Sequence, residues 1–282
     1  MRWLALLLLI LFAAPAHAAA VQKYFTTSDG VRLHYQQSGP AGAPTIVLVP
    51  GWTMPGWIFA PQIAAFSARY RVIAFDPRGQ GSSDIPAGGY NQDRRGADIG
   101  DLLAQLGPRP VVLVGWSLGV LDTLAYIHQA GDARVAGLVL IDNSVGENPP
   151  PVPHPYHPEP AMTHAAFMRM FVRSMFHKRQ SAAYLNRLTE AALVTPEPAA
   201  HALLAYPVPR SYWRAAIFST ARPVLYVVRP RLAGQAETLL RERPDTTIAI
   251  FADAGHALFV DDAGRFNALL ANFLTTIVWS RP

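Results

Sequence analysis

Residues 111–121, VVLVGWSLGVL, constrain the fold more tightly than any other stretch of the chain. An apolar, β-branched run ends at Ser117, glycines stand two residues to either side at Gly115 and Gly119, and a helical pattern follows. That order predicts a buried strand, a tight turn and a helix, with the serine at the bend. Such a turn strains the serine backbone, and side chains at the two flanking positions would strike the neighbouring strand and helix. The helix that starts at the serine also aims unpaired N–H groups and a positive dipole end at whatever lies over the hydroxyl. Ser117 is therefore a candidate nucleophile that needs a base. The alternative is a glycine-bounded turn carrying a solvated serine.

The remaining pattern alternates strand and helix. Val21–Thr27 and Val31–Gln36 flank Ser28-Asp29-Gly30 as a hairpin, and Thr45–Val49 is a buried strand ending at Pro50-Gly51-Trp52. A helical segment over 57–69 precedes the strand Arg71–Phe75, and a second over 93–106 places Ile99, Leu102, Leu103 and Leu106 on one face. Val135–Ile141, Pro223–Val228 and Thr246–Phe251 read as further buried strands, and 263–278 as the last helix. This order predicts a largely parallel sheet with helices on both faces. It breaks after Asp142. Residues 148–160 are too proline-dense for helix or interior strand. Helical patterns over 162–177, 181–193 and 197–204 follow, rich in Met and aromatic side chains (Met162, Phe167, Met168, Met170, Phe171) that pack or wall a pocket.

Residues 1–20 carry one Arg, an apolar stretch from Trp3 to Phe12 and an Ala16-His17-Ala18 site. That stretch falls short of the ~20 residues a membrane-spanning helix needs, so residues 1–18 read as a cleaved secretory signal. The expectation is an exported protein, periplasmic or secreted, with no stable membrane insertion after cleavage; an uncleaved anchor is the alternative. At 282 residues, 51% hydrophobic and 15% charged, the chain is a globular domain and neither disordered nor a coiled coil. Its net charge of +5 is spread without a long basic run, which gives nucleic-acid binding little support. The absence of cysteine excludes disulfides and zinc-thiolate sites. No cofactor or metal is expected.

Four landmarks in this order resemble the α/β-hydrolase fold superfamily across essentially the whole chain after the signal: the Ser117 elbow, Pro50-Gly51-Trp52, the loop Asp76-Pro77-Arg78-Gly79-Gln80-Gly81-Ser82-Ser83-Asp84, and Gly255-His256 after the last strand. The resemblance implies a core over 19–144 and 222–282 with a helical cap inserted at 145–221. It also implies the order serine, acid, histidine, with His256 as base, and backbone N–H groups of Trp52 and Leu118 as the oxyanion hole. Pro50 stands where the family usually has histidine, which alters the support of that loop. His34, His128, His154, His157, His164 and His177 are read as packing or solvent-facing, and Asp76, Arg78 and Asp84 as ties between turns.

The acid is open. Relatives commonly carry it after the strand that follows the cap, but here that strand runs into Val228-Arg229-Pro230-Arg231, with no carboxylate before Glu237. Arg229 and Arg231 would oppose an imidazolium there. Asp142, at the end of the strand after the nucleophile helix, is the leading replacement, since some relatives such as haloalkane dehalogenases place their acid there. Asp253, a Ser-His dyad and loss of catalysis are the alternatives. The resemblance thus implies a serine hydrolase of a small or medium apolar ester, lactone or related acyl compound. A binding protein on the same scaffold and a cofactor-free haloperoxidase-like activity are the other readings. Trp52, Trp57, Tyr212 and Trp213 either line the pocket or pack helices. The substrate and the oligomeric state do not follow from the sequence.

Overall fold

The computed structural model describes residues 20–151, 162–205 and 207–280. The leader with its expected cleavage site, and His154 and His157, lie outside them.

Eight strands form one sheet: β1 (Val21–Thr26), β2 (Arg32–Ser38), β3 (Thr45–Val49), β4 (Arg71–Asp76), β5 (Val111–Trp116), β6 (Val135–Ile141), β7 (Val224–Val228) and β8 (Thr247–Ile250). Their spatial order is β1-β2-β4-β3-β5-β6-β7-β8, with the first two pairings antiparallel and the other five parallel. β3, β5 and β7 are buried along their whole length, which explains their unbroken apolar runs: both sheet faces are covered, so neither can be polar. β8, at the edge, is only half-buried.

Ten α-helices accompany the sheet among the described residues: α1 (Ala60–Phe66), α2 (Gln92–Leu106), α3 (Leu118–Ala130), α4 (His164–Ser174), α5 (Ala182–Ala192), α6 (Glu197–Leu203), α7 (Arg210–Ser219), α8 (Ala233–Glu242), α9 (Leu258–Asp261) and α10 (Ala263–Phe273). Side chains of Asn91, Thr163 and Ser181 cap α2, α4 and α5 by accepting from the first free backbone N–H groups. In α2, Ile99, Leu102 and Leu103 are buried as the periodicity predicts. Arg95 of α2 pairs with Asp122 of α3 at 2.6 Å, both nearly sealed from solvent, which fixes the two helices side by side.

Several elements differ from the sequence expectation. The helical segment over 57–69 is a 3₁₀ turn (Gly56–Phe59) followed by the short α1. The last helix is α only to Phe273 and widens into a π turn over Leu274–Val278. α7, α8 and α9 carry weak sequence signals. α8 buries Gln235, Ala236 and Leu239, a stripe containing just one large apolar residue. α7 starts directly after Pro209, within a segment that reads as a connection.

The parallel order brings the carboxyl ends of β3, β5, β6, β7 and β8 to one edge of the sheet, where ligands of open α/β sheets bind. The four helices α4–α7 lie between β6 and β7 in the chain.

Candidate active site

Ser117 follows β5 directly and begins α3, with φ 54° and ψ −120°. The bend is held from three sides. Ser117 N–H donates to the Ile141 carbonyl (2.9 Å), while the Ser117 carbonyl accepts from Val120 N–H (2.9 Å) and from Asn143 Nδ2 (2.9 Å). A Cβ at Gly115 would collide with the Gly119 carbonyl, and one at Gly119 with the Val49 carbonyl, so strand and helix close to this distance only with glycine at both positions. Among the described non-glycine residues, positive φ occurs at Thr53, Ser117 and Asp142. All three lie in the turns that follow β3, β5 and β6, where such strain concentrates at functional sites.

Asp142 ends β6. Its N–H donates to the Val227 carbonyl at 2.8 Å, which turns the carboxylate toward the end of β7. The side chain is fully buried, and its Oδ2 lies 2.6 Å from His256 Nδ1. His256 Nε2 lies 2.8 Å from Ser117 Oγ. An ionised carboxylate can only accept, so the Nδ1 proton points to Asp142 and the lone pair of Nε2 faces the serine hydroxyl. The His256 carbonyl accepts from Trp116 Nε1 at 2.9 Å, which anchors the histidine loop on the residue before Ser117. Asp253 is exposed on the same loop, and Glu237 is exposed on α8.

Electrostatics keep this line of groups in a defined protonation state. Burial lowers the pKa of the His256 imidazole, Arg229 and Arg231 lower it further, and the Asp142 carboxylate only partly opposes them. Burial pushes the Asp142 carboxyl up, but the hydrogen bond and charge of His256 and the charge of Arg229 outweigh it and hold the group below its usual range. The arginine expected to oppose the histidine therefore also grips the Asp142 carboxylate.

The loop after β3 runs against Ser117: a Cβ at Gly51 would lie 2.9 Å from Ser117 Cβ. No protein acceptor takes the N–H of Trp52 or of Leu118 among the described residues. With Pro50 in place of a histidine, the loop draws its support from the buried Gln80. Its Nε2 donates to the Gly51 and Met54 carbonyls (3.0 and 2.8 Å) and its Oε1 accepts from Thr53 N–H (3.3 Å). Trp52 Nε1 donates to the Ala200 carbonyl at 2.7 Å, and its ring meets Phe171 and Phe167 edge-on at 5.0 and 6.3 Å. These contacts join the β3 loop to α4 and α6.

The other candidates separate from the site. His34 is buried between Asp76 Oδ2 (2.8 Å) and Gln22 Oε1 (2.7 Å) in the β1–β2–β4 corner. Asp76 also accepts from Gly56 and Ser82 N–H groups, and Arg78 pairs with Asp98 at 2.6 Å and with Asp29 at 3.1 Å. Both side chains tie turns together, while Asp84 is exposed and bonds through its main chain. His128, in the last turn of α3, meets Tyr212 in a tilted ring contact at 4.0 Å, and Trp213 is buried in α7, so Tyr212 and Trp213 pack helices. Trp57 packs on Tyr184, under Arg187. His164 is half-buried at the start of α4, and His177 is exposed beyond its end.

Sequence reasoning missed three contributors: Gln80, Asn143 and Asp261. Asp261 is buried and accepts from Gly255 N–H (2.7 Å) and His177 N–H (2.6 Å), stapling the histidine loop to the turn between α4 and α5. Gln80 and Asn143 carry no sequence signal, since they act by filling backbone hydrogen bonds in three dimensions. Among the described residues no cluster of three or more His, Asp or Glu side chains could hold a metal ion, and no helix is long and apolar enough to cross a membrane.

Comparison with known proteins agrees with this architecture. A non-heme chloroperoxidase of Streptomyces lividans is 38% identical over 117 residues, 41% of this chain and 42% of that protein. A bifunctional esterase/perhydrolase of Acinetobacter calcoaceticus is 34% identical over 119 residues, 42% of this chain and 43% of that one. The matched region thus spans less than half the length of these relatives. Among solved structures, a Burkholderia cenocepacia protein provisionally described as an aryl esterase superposes with a TM-score of 0.82 at 25% identity, over 93% of this chain and 100% of its own. An esterase from Rhodococcus sp. ECU1013 has the same fold, with a TM-score of 0.77 at 22% identity over 91% of this chain and 99% of its own. The model of the alpha/beta hydrolase family matches residues 46–269, from the third strand to the last helix, and the chain belongs to that family.

Proposed function

We propose that this protein is an exported serine hydrolase that cleaves a small or medium apolar ester, lactone or related acyl compound through an acyl-enzyme. The observation that carries the reading is the continuous line Asp142–His256–Ser117, with contacts of 2.6 and 2.8 Å. Ser117 Oγ attacks the acyl carbon as its proton passes to His256 Nε2. The tetrahedral oxyanion is held by Trp52 and Leu118 N–H groups, each worth roughly 3 kcal/mol in such sites. The imidazolium then returns the proton to the leaving alkoxide, and the acyl group stays on Ser117. Water repeats the sequence and releases the acid. Asp142 holds the imidazole tautomer throughout. The Phe167 and Phe171 rings around Trp52 support an apolar acyl or alcohol portion. The leader composition supports export.

Labelling with a fluorophosphonate probe tests the reading. Ser117 is expected to label and Ser117→Ala to lose both the label and p-nitrophenyl butyrate turnover. A wild-type protein that neither labels nor turns over the ester would instead be a binding protein on this scaffold.

A second reading is favoured by the names of the relatives, which include a chloroperoxidase and a perhydrolase. In it, hydrogen peroxide replaces water in the second half-reaction: a peroxide oxygen bonds to the acyl carbon, the Ser117 ester bond breaks, and a peracid leaves. Peracid formation from a carboxylic ester and peroxide, lost in Ser117→Ala, distinguishes this activity from simple hydrolysis.

A further inference from the structure

Arg229 follows β7 directly, at the sheet edge that also carries Asp142. Its main-chain N–H donates to Asp142 Oδ1 at 3.0 Å and its Nε donates to Asp142 Oδ2 at 2.6 Å. Oδ2 is the same oxygen that faces His256 Nδ1. The carboxylate is therefore gripped at both oxygens by one residue and shared at one of them by two nitrogen donors.

A fully buried carboxylate stays ionised only where hydrogen bonds or a neighbouring cation stabilise its charge. In the resting site His256 has to be neutral to accept the serine proton, so it gives Asp142 a hydrogen bond but no positive charge. The Arg229 guanidinium supplies that charge, in contact with Asp142 Oδ2 at 2.6 Å. We propose that Arg229 is a positioning residue: it keeps Asp142 ionised and aimed while His256 is neutral, and by occupying part of the carboxylate it limits how strongly Asp142 stabilises the imidazolium. The inference rests on the hydrolase reading, and it gives a role to the residue that stands where the acid of most relatives was expected.

The groups facing His256 are few. Ser117 lies on Nε2 and Asp142 on Nδ1. Arg229 and Arg231 approach from the end of β7 as positive charges, and both disfavour the imidazolium. Tyr226 of β7 is sealed behind Asp142, and its hydroxyl, which donates to the Asn143 carbonyl, is kept neutral by burial. Asp261 is engaged by the Gly255 and His177 N–H groups, and Asp253 is exposed. Arg229 is the one of these cations that contacts Asp142.

The test compares Arg229→Gln, Arg229→Met and Arg229→Lys in the full chain. It uses two readouts: the pH profile of kcat/KM on p-nitrophenyl acetate, and NMR titration of the His256 imidazole. The neutral variants are expected to move both the acid limb and the imidazole titration upward by about one pH unit. They should also lower the plateau kcat on the order of tenfold, with KM within about twofold. Lysine keeps the charge and loses the Nε donor to Oδ2, so it should hold the limb near its wild-type position while kcat still falls. A limb and a titration unmoved by Gln and Met would overturn the proposal. So would a Lys variant that shifts as far as Gln, or two neutral variants that fail to fold. Fluorophosphonate labelling of the wild type keeps the two hypotheses apart: without it the hydrolase reading falls, and the imidazole titration still decides whether Arg229 governs His256.

Discussion

Asp142 Oδ2 and His256 Nδ1 stand 2.6 Å apart although 114 residues separate them in the chain. The contact exists because β6, β7 and β8 are consecutive parallel neighbours, so the turns after β6 and β8 open on the same edge, with the β7 turn between them. Asp142 N–H is held by the Val227 carbonyl, and Phe251 N–H by the Val228 carbonyl, so both turns are registered on β7.

Replacing Asp142 by Asn keeps the shape but presents an amide to Nδ1, which favours the wrong imidazole tautomer. Turnover of an activated ester is expected to fall by roughly 10⁴-fold, as in comparable triads. Asp253→Asn, at an exposed position, should stay within about twofold of wild type. Steady-state kinetics of the two purified variants checks the ranking, and the reverse order would remove Asp142 from the mechanism.

The pH profile follows from the His256 environment. The base must be neutral to act, and burial with two nearby arginines holds its pKa below the ordinary histidine value of 6.5. Activity should therefore rise along an acid limb centred below pH 6.5 and be flat across neutrality. A limb centred above pH 7 in kcat/KM would contradict this.

Gly119→Ala tests the elbow. The added methyl meets the Val49 carbonyl, which belongs to a central strand and cannot move aside cheaply. A loss of about 1–3 kcal/mol is expected, or failure to fold, read by urea denaturation. Retained stability with full activity would mean that strand and helix are not closed to this distance.

Asp261→Ala removes the acceptor shared by Gly255 and His177 N–H groups. These two donors, together with Lys178 N–H and Gln180 Nε2 on the other carboxylate oxygen, then lose their partner, at a cost of about 1–3 kcal/mol for each that stays buried. Because Gly255 precedes the base, fluorophosphonate labelling should slow along with the loss in melting temperature. Asp261→Asn, which keeps one acceptor oxygen, should recover part of both.

Arg95→Ala strands Asp122 without its cation, an event that typically costs about 3–5 kcal/mol. Burial already raises the Asp122 carboxyl to about 6 even with Arg95 beside it. The folded state therefore binds the proton more tightly than the unfolded chain, and this group's contribution to stability declines as pH rises through that window. The variant should be closer to wild type at pH 5, where the stranded carboxyl takes a proton, than at pH 8. Chemical denaturation at the two pH values measures the difference.

The sequence by itself determined the local pieces. Gly115 and Gly119 around Ser117 specify a turn that admits no side chain, and the unbroken apolar runs of β3, β5 and β7 specify strands covered on both faces. Those are short-range consequences of sterics and burial, and they also marked Ser117 and His256. The identity of the acid was open at that level, because no spacing rule says which sheet turn a carboxylate from β6 will face. Only the strand order put Asp142 against His256 and turned Arg229 from an apparent obstacle into a partner of the Asp142 carboxylate. Gln80, Asn143 and Asp261 came to light the same way: their side chains serve backbone groups distant in sequence, and a hydrogen bond between distant segments leaves no periodicity for the chain to display.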